Sequence, residues 1–282
     1  MHSVKKALEK KSSMVVAGAG LLLSAYGNLC PEKNLLGVSM QFNPRCLFYI
    51  TNFTLLLVSI NFIFRIAIEL HAAYRDKTRI EKTKIERMLT YVHRRLLPLV
   101  LSAETFIAVF FWIAYLLNPA WVFSRAQQDK ICLFLNMCMH GFPVLFLFGD
   151  YLSISSIRTK NEERDTNVCF VVYSVVCALI MVLYKSMTDR WRYGFLNAYG
   201  YSALGAFCVL MLISLYGIYQ GMKILKQNIL QSRPGVRSKI NLQRKYMWLV
   251  CAFVALCFLK QSYNTGYLPL KIEGVRFASV SF

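Results

Sequence analysis

Ile131-Cys-Leu-Phe-Leu-Asn-Met-Cys-Met-His-Gly-Phe-Pro-Val-Leu-Phe-Leu-Phe-Gly149 runs uncharged from Lys130 to Asp150. Wound as a helix it reaches about 28 Å, enough to cross the hydrocarbon core of a bilayer. Near its middle stands His140, a titratable side chain that is costly to bury in lipid, and Asn136 lies one turn earlier on the same face. Gly141 and Pro143 follow at once. The helix is therefore expected to be kinked or locally opened, the form taken by spans that line a cavity.

The rest of the chain agrees with a membrane setting. Its 282 residues are 56% hydrophobic and 17% charged, and the charges come in clusters between apolar runs. That pattern predicts an all-α, polytopic membrane helix bundle. The net charge of +19 belongs to the loops, where it sets orientation and favours contact with anionic lipid headgroups. Nucleic acid is excluded as a partner, because the basic clusters flank apolar spans and no nucleic-acid-binding fold is recognisable. Most of the nine cysteines lie in apolar segments and none forms a CxxC pair, so they read as packing residues, with no metal site and no cofactor expected. Cys30 and Cys46 bracket the first loop and are placed to pair if that loop faces an oxidising compartment.

Six spans are expected, followed by a short seventh apolar segment. The first follows a basic start (Lys5, Lys6, Lys10, Lys11) and runs uncharged from Ser12 to Pro31. Ala25-Tyr-Gly27 is a weak cleavage site, and the spanning length favours a retained helix over a signal peptide. The second covers Cys46 to Phe64, with Arg65 and Glu69 at its far end. A charged, helical connection from Tyr74 to Arg95 carries eight Lys and Arg. The third span, Leu96 to Leu117, is interrupted by Glu104 and ended by Asn118-Pro119. The histidine segment is the fourth, Asn167 to Tyr184 the fifth, and Tyr193 to Met222 the sixth, its first part suited to the interface. Tyr246 to Leu259, fourteen uncharged residues, fits an interfacial or re-entrant segment better than a seventh span. The chain thus divides into a membrane domain over residues 1–245 and a short apolar segment with a tail over 246–282.

Lys and Arg counts orient the bundle. Alternate polar segments hold 22 against 10, and the split becomes 25 to 7 when six spans return the tail to the basic side. Both termini are then cytosolic, in the endoplasmic reticulum or plasma membrane.

Of the four histidines, His2, His71 and His93 lie in or near polar connections, which leaves His140 as the deep one. A neutral imidazole beside Asn136 suits a general base, the amide fixing its tautomer. No Gly-x-Ser-x-Gly elbow is present, so the hydroxyl candidates are Thr51, Thr54, Ser102 and Thr105. Thr51 lies five residues past Cys46 and His140 nine past Ile131, on spans running in the same direction, so their depths differ by about 6 Å. Depth alone does not separate Thr51 from Thr54. Asn52 and Asn136 are candidates to support the site or to donate to an oxyanion. Arg65, Glu69, Glu104 and Asp150 are expected to form a structural ion network joining the second, third and fourth spans. Asn52-Phe-Thr54 matches a glycosylation sequon inside a span and is expected to stay unmodified.

Four pieces, in order, resemble the androgen-induced gene family of multi-pass membrane threonine hydrolases: Phe48-Tyr-Ile-Thr-Asn52, Ile107-Ala-Val-Phe-Phe-Trp-Ile-Ala-Tyr115, Leu135-Asn-Met-Cys-Met-His140 and Trp191-Arg-Tyr-Gly-Phe-Leu196. The resemblance implies a nucleophilic Thr51, a catalytic His140 and hydrolysis of lipid esters drawn from the bilayer, fatty acid esters of hydroxy fatty acids being the substrate class. The chain departs from the family pattern at Met137, where a second histidine is frequent, and at Gly194, where proline is usual. The competing expectation is a small transporter or channel in which Glu104, Arg65 and His140 line a polar path. A seven-span receptor is disfavoured by the cytosolic N-terminus.

Overall fold

The computed structural model describes residues 2–29, 49–78, 81–117, 133–154, 159–191 and 193–231. Among these residues the chain forms seven α-helices and no strand: α1 (His2–Leu29), α2 (Ile50–Thr78), α3 (Lys84–Leu117), α4 (Leu133–His140), α5 (Phe142–Ser153), α6 (Lys160–Thr188) and α7 (Gly194–Gln231). The apolar segment expected at 246–259, the tail, and the Cys30/Cys46 pair lie outside the described residues.

Among the described residues, four helices are long and apolar enough to cross a membrane: α2, the 84–113 part of α3, α6, and the 200–228 part of α7. Two further apolar helices are shorter, Met14–Gly27 within α1, and α5. The expected fourth span is the one that divides. Gly141 departs from helical geometry (φ −128°, ψ −62°), and Pro143 sits in the first turn of α5. Proline has no N–H to return to the preceding turn, so the helix stops at His140 and restarts at Phe142. Gly141 still donates to the Met137 carbonyl at 2.9 Å across the break. The expected sixth span bends as well, at Gly200 (φ 61°, ψ −139°), a conformation open to glycine because it has no Cβ.

The third helix is the hub. It packs against α2, α4, α5, α6 and α7. Leu97, Val100 and Leu101 join Val58 and Phe62 of α2, Val16 and Ala17 of α1, and Phe142, Phe146 and Leu147 of α5 in one core. Leu99, Ala103, Phe106 and Ile107, on the other flank of α3, join Phe170, Tyr173, Cys177 and Met181 of α6 and Leu204, Met211 and Leu215 of α7 in a second. The outer surface is also apolar. On α6, Val168, Val171, Val172, Val175, Leu179 and Leu183 are all exposed, at helical spacing, the reverse of the polar outer face of a water-soluble helix. Such a belt is the surface of a multi-pass membrane protein.

Ion pairs gather at the basic end of the bundle. Arg94 meets Glu162 at 2.9 Å, Arg95 meets Asp165 at 2.7 Å and Lys223 meets Glu163 at 2.6 Å, tying α3 and α7 to the start of α6. There Thr159 and Glu162 form a reciprocal capping box, which supplies acceptors for donors the first turn leaves unmatched.

The seam between α1 and α2 gives a test with an internal control. A Cβ on Gly20 would lie 2.5 Å from the ring of Phe62, whereas one on Gly18 would meet nothing within 4 Å. Gly20→Ala overpacks the seam and is expected to destabilise by about 1–3 kcal/mol. Gly18→Ala is expected to be neutral or mildly stabilising, since alanine is the better helix former. Thermal unfolding of the two variants in detergent checks the difference.

Candidate active site

The site begins at the first turn of α2. Tyr49 accepts the Phe53 N–H at 3.0 Å and opens the helix. Thr51 is half-buried, and among the described residues no hydrogen bond engages its hydroxyl. Asn52 is buried beside it. Thr54 is wholly buried and fully occupied: its hydroxyl lies 2.7 Å from the Ile50 carbonyl and 2.5 Å from Tyr173 Oη. Depth left Thr51 and Thr54 equivalent, but hydrogen bonding separates them. Thr105 is also spent, on the Leu101 carbonyl at 2.7 Å.

His140 closes α4 and is 4% exposed. Its ring stacks on Phe111 of α3, with centroids 3.7 Å apart and planes 14° from parallel. Its Nδ1 is buried with no hydrogen-bond partner among the described residues, and the same holds for Asn136 Oδ1. The expected bond by which the Asn136 amide fixes the imidazole tautomer is therefore not formed among the described residues. An aromatic face orients the ring in its place. Phe111 stands inside the Ile107–Tyr115 motif, so the signal was in the sequence, but nothing there says which ring of the motif faces the histidine.

No hydrogen bond joins Thr51 to His140 among the described residues. Their helices are neighbours: α4 packs against α2. A Cβ on Gly27 of α1 would lie 3.2 Å from the Cys138 carbonyl and 3.4 Å from Leu55 Cδ1. Leu55 is one turn beyond Thr51, and Cys138 is two residues before His140, so the two segments flank the same glycine.

The charged residues divide. Arg65 Nε lies 3.3 Å from Asp150 Oδ1, and its Nη2 lies 2.8 Å from Glu69 Oε1. The other oxygen of Asp150 meets His93 Nε2 at 3.0 Å. His93 was assigned to a polar connection, yet it is 2% exposed, because α3 starts at Lys84 and carries it into the packing against α5. Glu104 stands apart from this cluster. It is wholly buried, and neither of its oxygens has a hydrogen-bond partner among the described residues. Asn61 of α2 and Ser102 of α3 are likewise buried with unpaired polar atoms.

Because Asp150 is shared, removing one partner strands the rest. Arg65→Met is expected to destabilise by roughly 3 kcal/mol, the size seen when a buried ion pair loses one member. Arg65→Met with Asp150→Leu should recover part of that loss. Detergent melting curves of the single and double variants read the difference.

The family model described as FAR-17a/AIG1-like protein matches residues 46–227, a region that contains every side chain of this site and of the ion cluster. No curated protein and no solved structure matches the chain. The chain belongs to the FAR-17a/AIG1-like family, which is the androgen-induced gene 1 family.

Proposed function

With that membership as premise, we propose that the protein is an intramembrane lipid ester hydrolase with Thr51 as nucleophile and His140 as general base. The observation that carries the choice of nucleophile is the contrast between two threonines three residues apart. Thr54 has its hydroxyl engaged on both sides, while Thr51 has a hydroxyl outside the hydrogen-bond network, at a half-exposed position that an ester can approach. His140 is the complementary group, a buried imidazole with one ring nitrogen unpartnered.

In this mechanism His140 takes the Thr51 proton, and the Thr51 oxygen attacks the ester carbonyl. The carbon–oxygen bond to the alcohol breaks, and the departing alkoxide takes the proton back from His140. Water then hydrolyses the acyl-threonine with His140 again as base, releasing the carboxylic acid. Asn52 and Asn136 are the amides suited to steady the oxyanion. Fatty acid esters of hydroxy fatty acids are the substrate class of this reading, and the apolar outer faces of α6 and α7 suit a substrate drawn from the bilayer. Six passes with both termini in the cytosol agree with ion pairs concentrated at the basic end.

A second reading draws on Glu104. A buried carboxyl without a hydrogen-bond partner is also what a transporter or channel would carry in its path, with Arg65 and His140 as further polar landmarks. Arg65 serves that role poorly, since Asp150 and Glu69 already hold it.

The two readings are told apart by fluorophosphonate labelling and ester turnover in detergent. Thr51→Ala and His140→Ala are each expected to reduce turnover at least 10²-fold at unchanged melting temperature, and Thr51→Ala to abolish labelling. Well-folded Thr51→Ala protein with full turnover would sink the hydrolase mechanism. Solute flux in liposomes that survives Thr51→Ala but not Glu104→Gln would establish the transporter.

A further inference from the structure

Ile50 stands immediately before Thr51, and side chains hold both of its backbone groups, one from the residue that precedes α7 and one from the next turn of α2. Its N–H donates to Tyr193 Oη at 3.0 Å. Its carbonyl accepts from Thr54 Oγ1 at 2.7 Å, and Thr54 Oγ1 lies 2.5 Å from Tyr173 Oη. A threonine hydroxyl has one proton. With that proton on the Ile50 carbonyl, Tyr173 must be the donor in the second bond. The first N–H groups of a helix have no acceptor within it and go to a cap, water or a ligand. In α2 one of them goes to a tyrosine 143 residues further along the chain.

Both tyrosines are themselves held. The Tyr193 ring meets Tyr49 edge-on, with centroids 6.4 Å apart and planes at 76°, and its carbonyl accepts the Leu196 N–H at 3.0 Å. Trp191 and Leu196 on either side are buried. Tyr173 is 4% exposed and stacks on Phe53 with centroids 6.1 Å apart. Tyr49, Ile50, Phe53 and Thr54 are therefore each in contact with one of the two tyrosines, and they surround Thr51 in the chain.

We propose that Tyr193 and Tyr173 are positioning residues for the hydrolysis: Tyr193 holds the Ile50 N–H directly and Tyr173 holds the Thr54 hydroxyl that bonds the Ile50 carbonyl, and together they fix the turn that carries Thr51 and so set the direction of its hydroxyl. The proposal rests on Thr51 being the nucleophile. It also gives the Trp191–Leu196 motif a task, which is to deliver the Tyr193 hydroxyl to the start of α2. The bonds grip the backbone of the turn and leave the substrate's route to Thr51 unaltered. Their loss therefore acts on kcat, where a displacement of about 1 Å at a reacting atom is worth up to about 10²-fold, and spares KM.

The test uses the full chain in detergent with a long-chain fatty acid ester of a hydroxy fatty acid, comparing Tyr193→Phe, Tyr173→Phe, Thr54→Val and Thr51→Ala with the natural protein. Tyr193→Phe keeps the ring against Tyr49 and removes the hydroxyl. It is expected to lower kcat roughly ten-fold with KM within about two-fold, and to speed amide hydrogen exchange in peptides covering residues 49–55 while those from α3 and α6 keep their protection. Tyr173→Phe and Thr54→Val carry the same pattern, so the proposal does not hang on one variant. Unchanged kcat, or unchanged exchange over 49–55, overturns it. Faster exchange throughout the bundle assigns these bonds to folding alone and overturns it too. Full activity in folded Thr51→Ala removes the nucleophile itself, a failure that is told apart because it involves neither tyrosine.

Discussion

A helix in hydrocarbon has no water to satisfy its polar groups, so polarity must turn inward or move to the ends. The whole bundle follows from that constraint. The outer face of α6 is a ladder of valines and leucines, and α7 exposes Val209, Leu210 and Ile213. Many polar side chains of these helices, among them Thr54, Asn61, Ser102, Glu104, Asn136 and His140, are buried. A soluble protein would spread such groups over its surface. Here they are driven into one interior.

That interior has layers. Arg65 of α2 and His93 of α3 share Asp150, while Thr54 of α2 bonds to Tyr173 and Glu104 lies buried further along α3. From Arg65 back to Thr54 is eleven residues, and from His93 on to Glu104 is eleven, so the antiparallel helices keep step over about 16 Å. The lower layer is charged and mutually paired. The upper layer is neutral hydroxyls, a lone carboxyl and, one turn beyond Thr54, Thr51. The lower layer locks α2, α3 and α5 together, which lets the upper one hold groups that are not fully satisfied.

The broken fourth span was legible from residue chemistry alone: glycine next to the histidine and proline two residues later interrupt a helix in any surroundings. The long charged connection after α2 was legible as helical too, and it proves to be the end of α2 and the start of α3. What stayed hidden was partnership. His93 sits among arginines in the chain and reads as exposed, yet the start of α3 carries it against Asp150. Glu104 reads as a member of an ion network because it is charged, but it lies a full layer away from Arg65 and Asp150. The amide of Asn136 is one turn from His140 and reads as its orienter, whereas Phe111 of another helix supplies the stacking face.

The sequence by itself determined what depends on composition and spacing: a helical membrane chain, where its apolar helices lie, and where one of them breaks. These are properties of single segments in a solvent of known polarity, and a segment carries them wherever it packs. The tertiary structure decided which groups are spent and which are left over. Thr54 and Thr51 have the same chemistry and nearly the same depth, and they differ because Tyr173, more than a hundred residues away, takes up one and leaves the other. The opening stretch of sequence follows the same rule. His140 announced itself as costly in lipid, but the ring that stacks on it comes from another helix, Phe111 of α3.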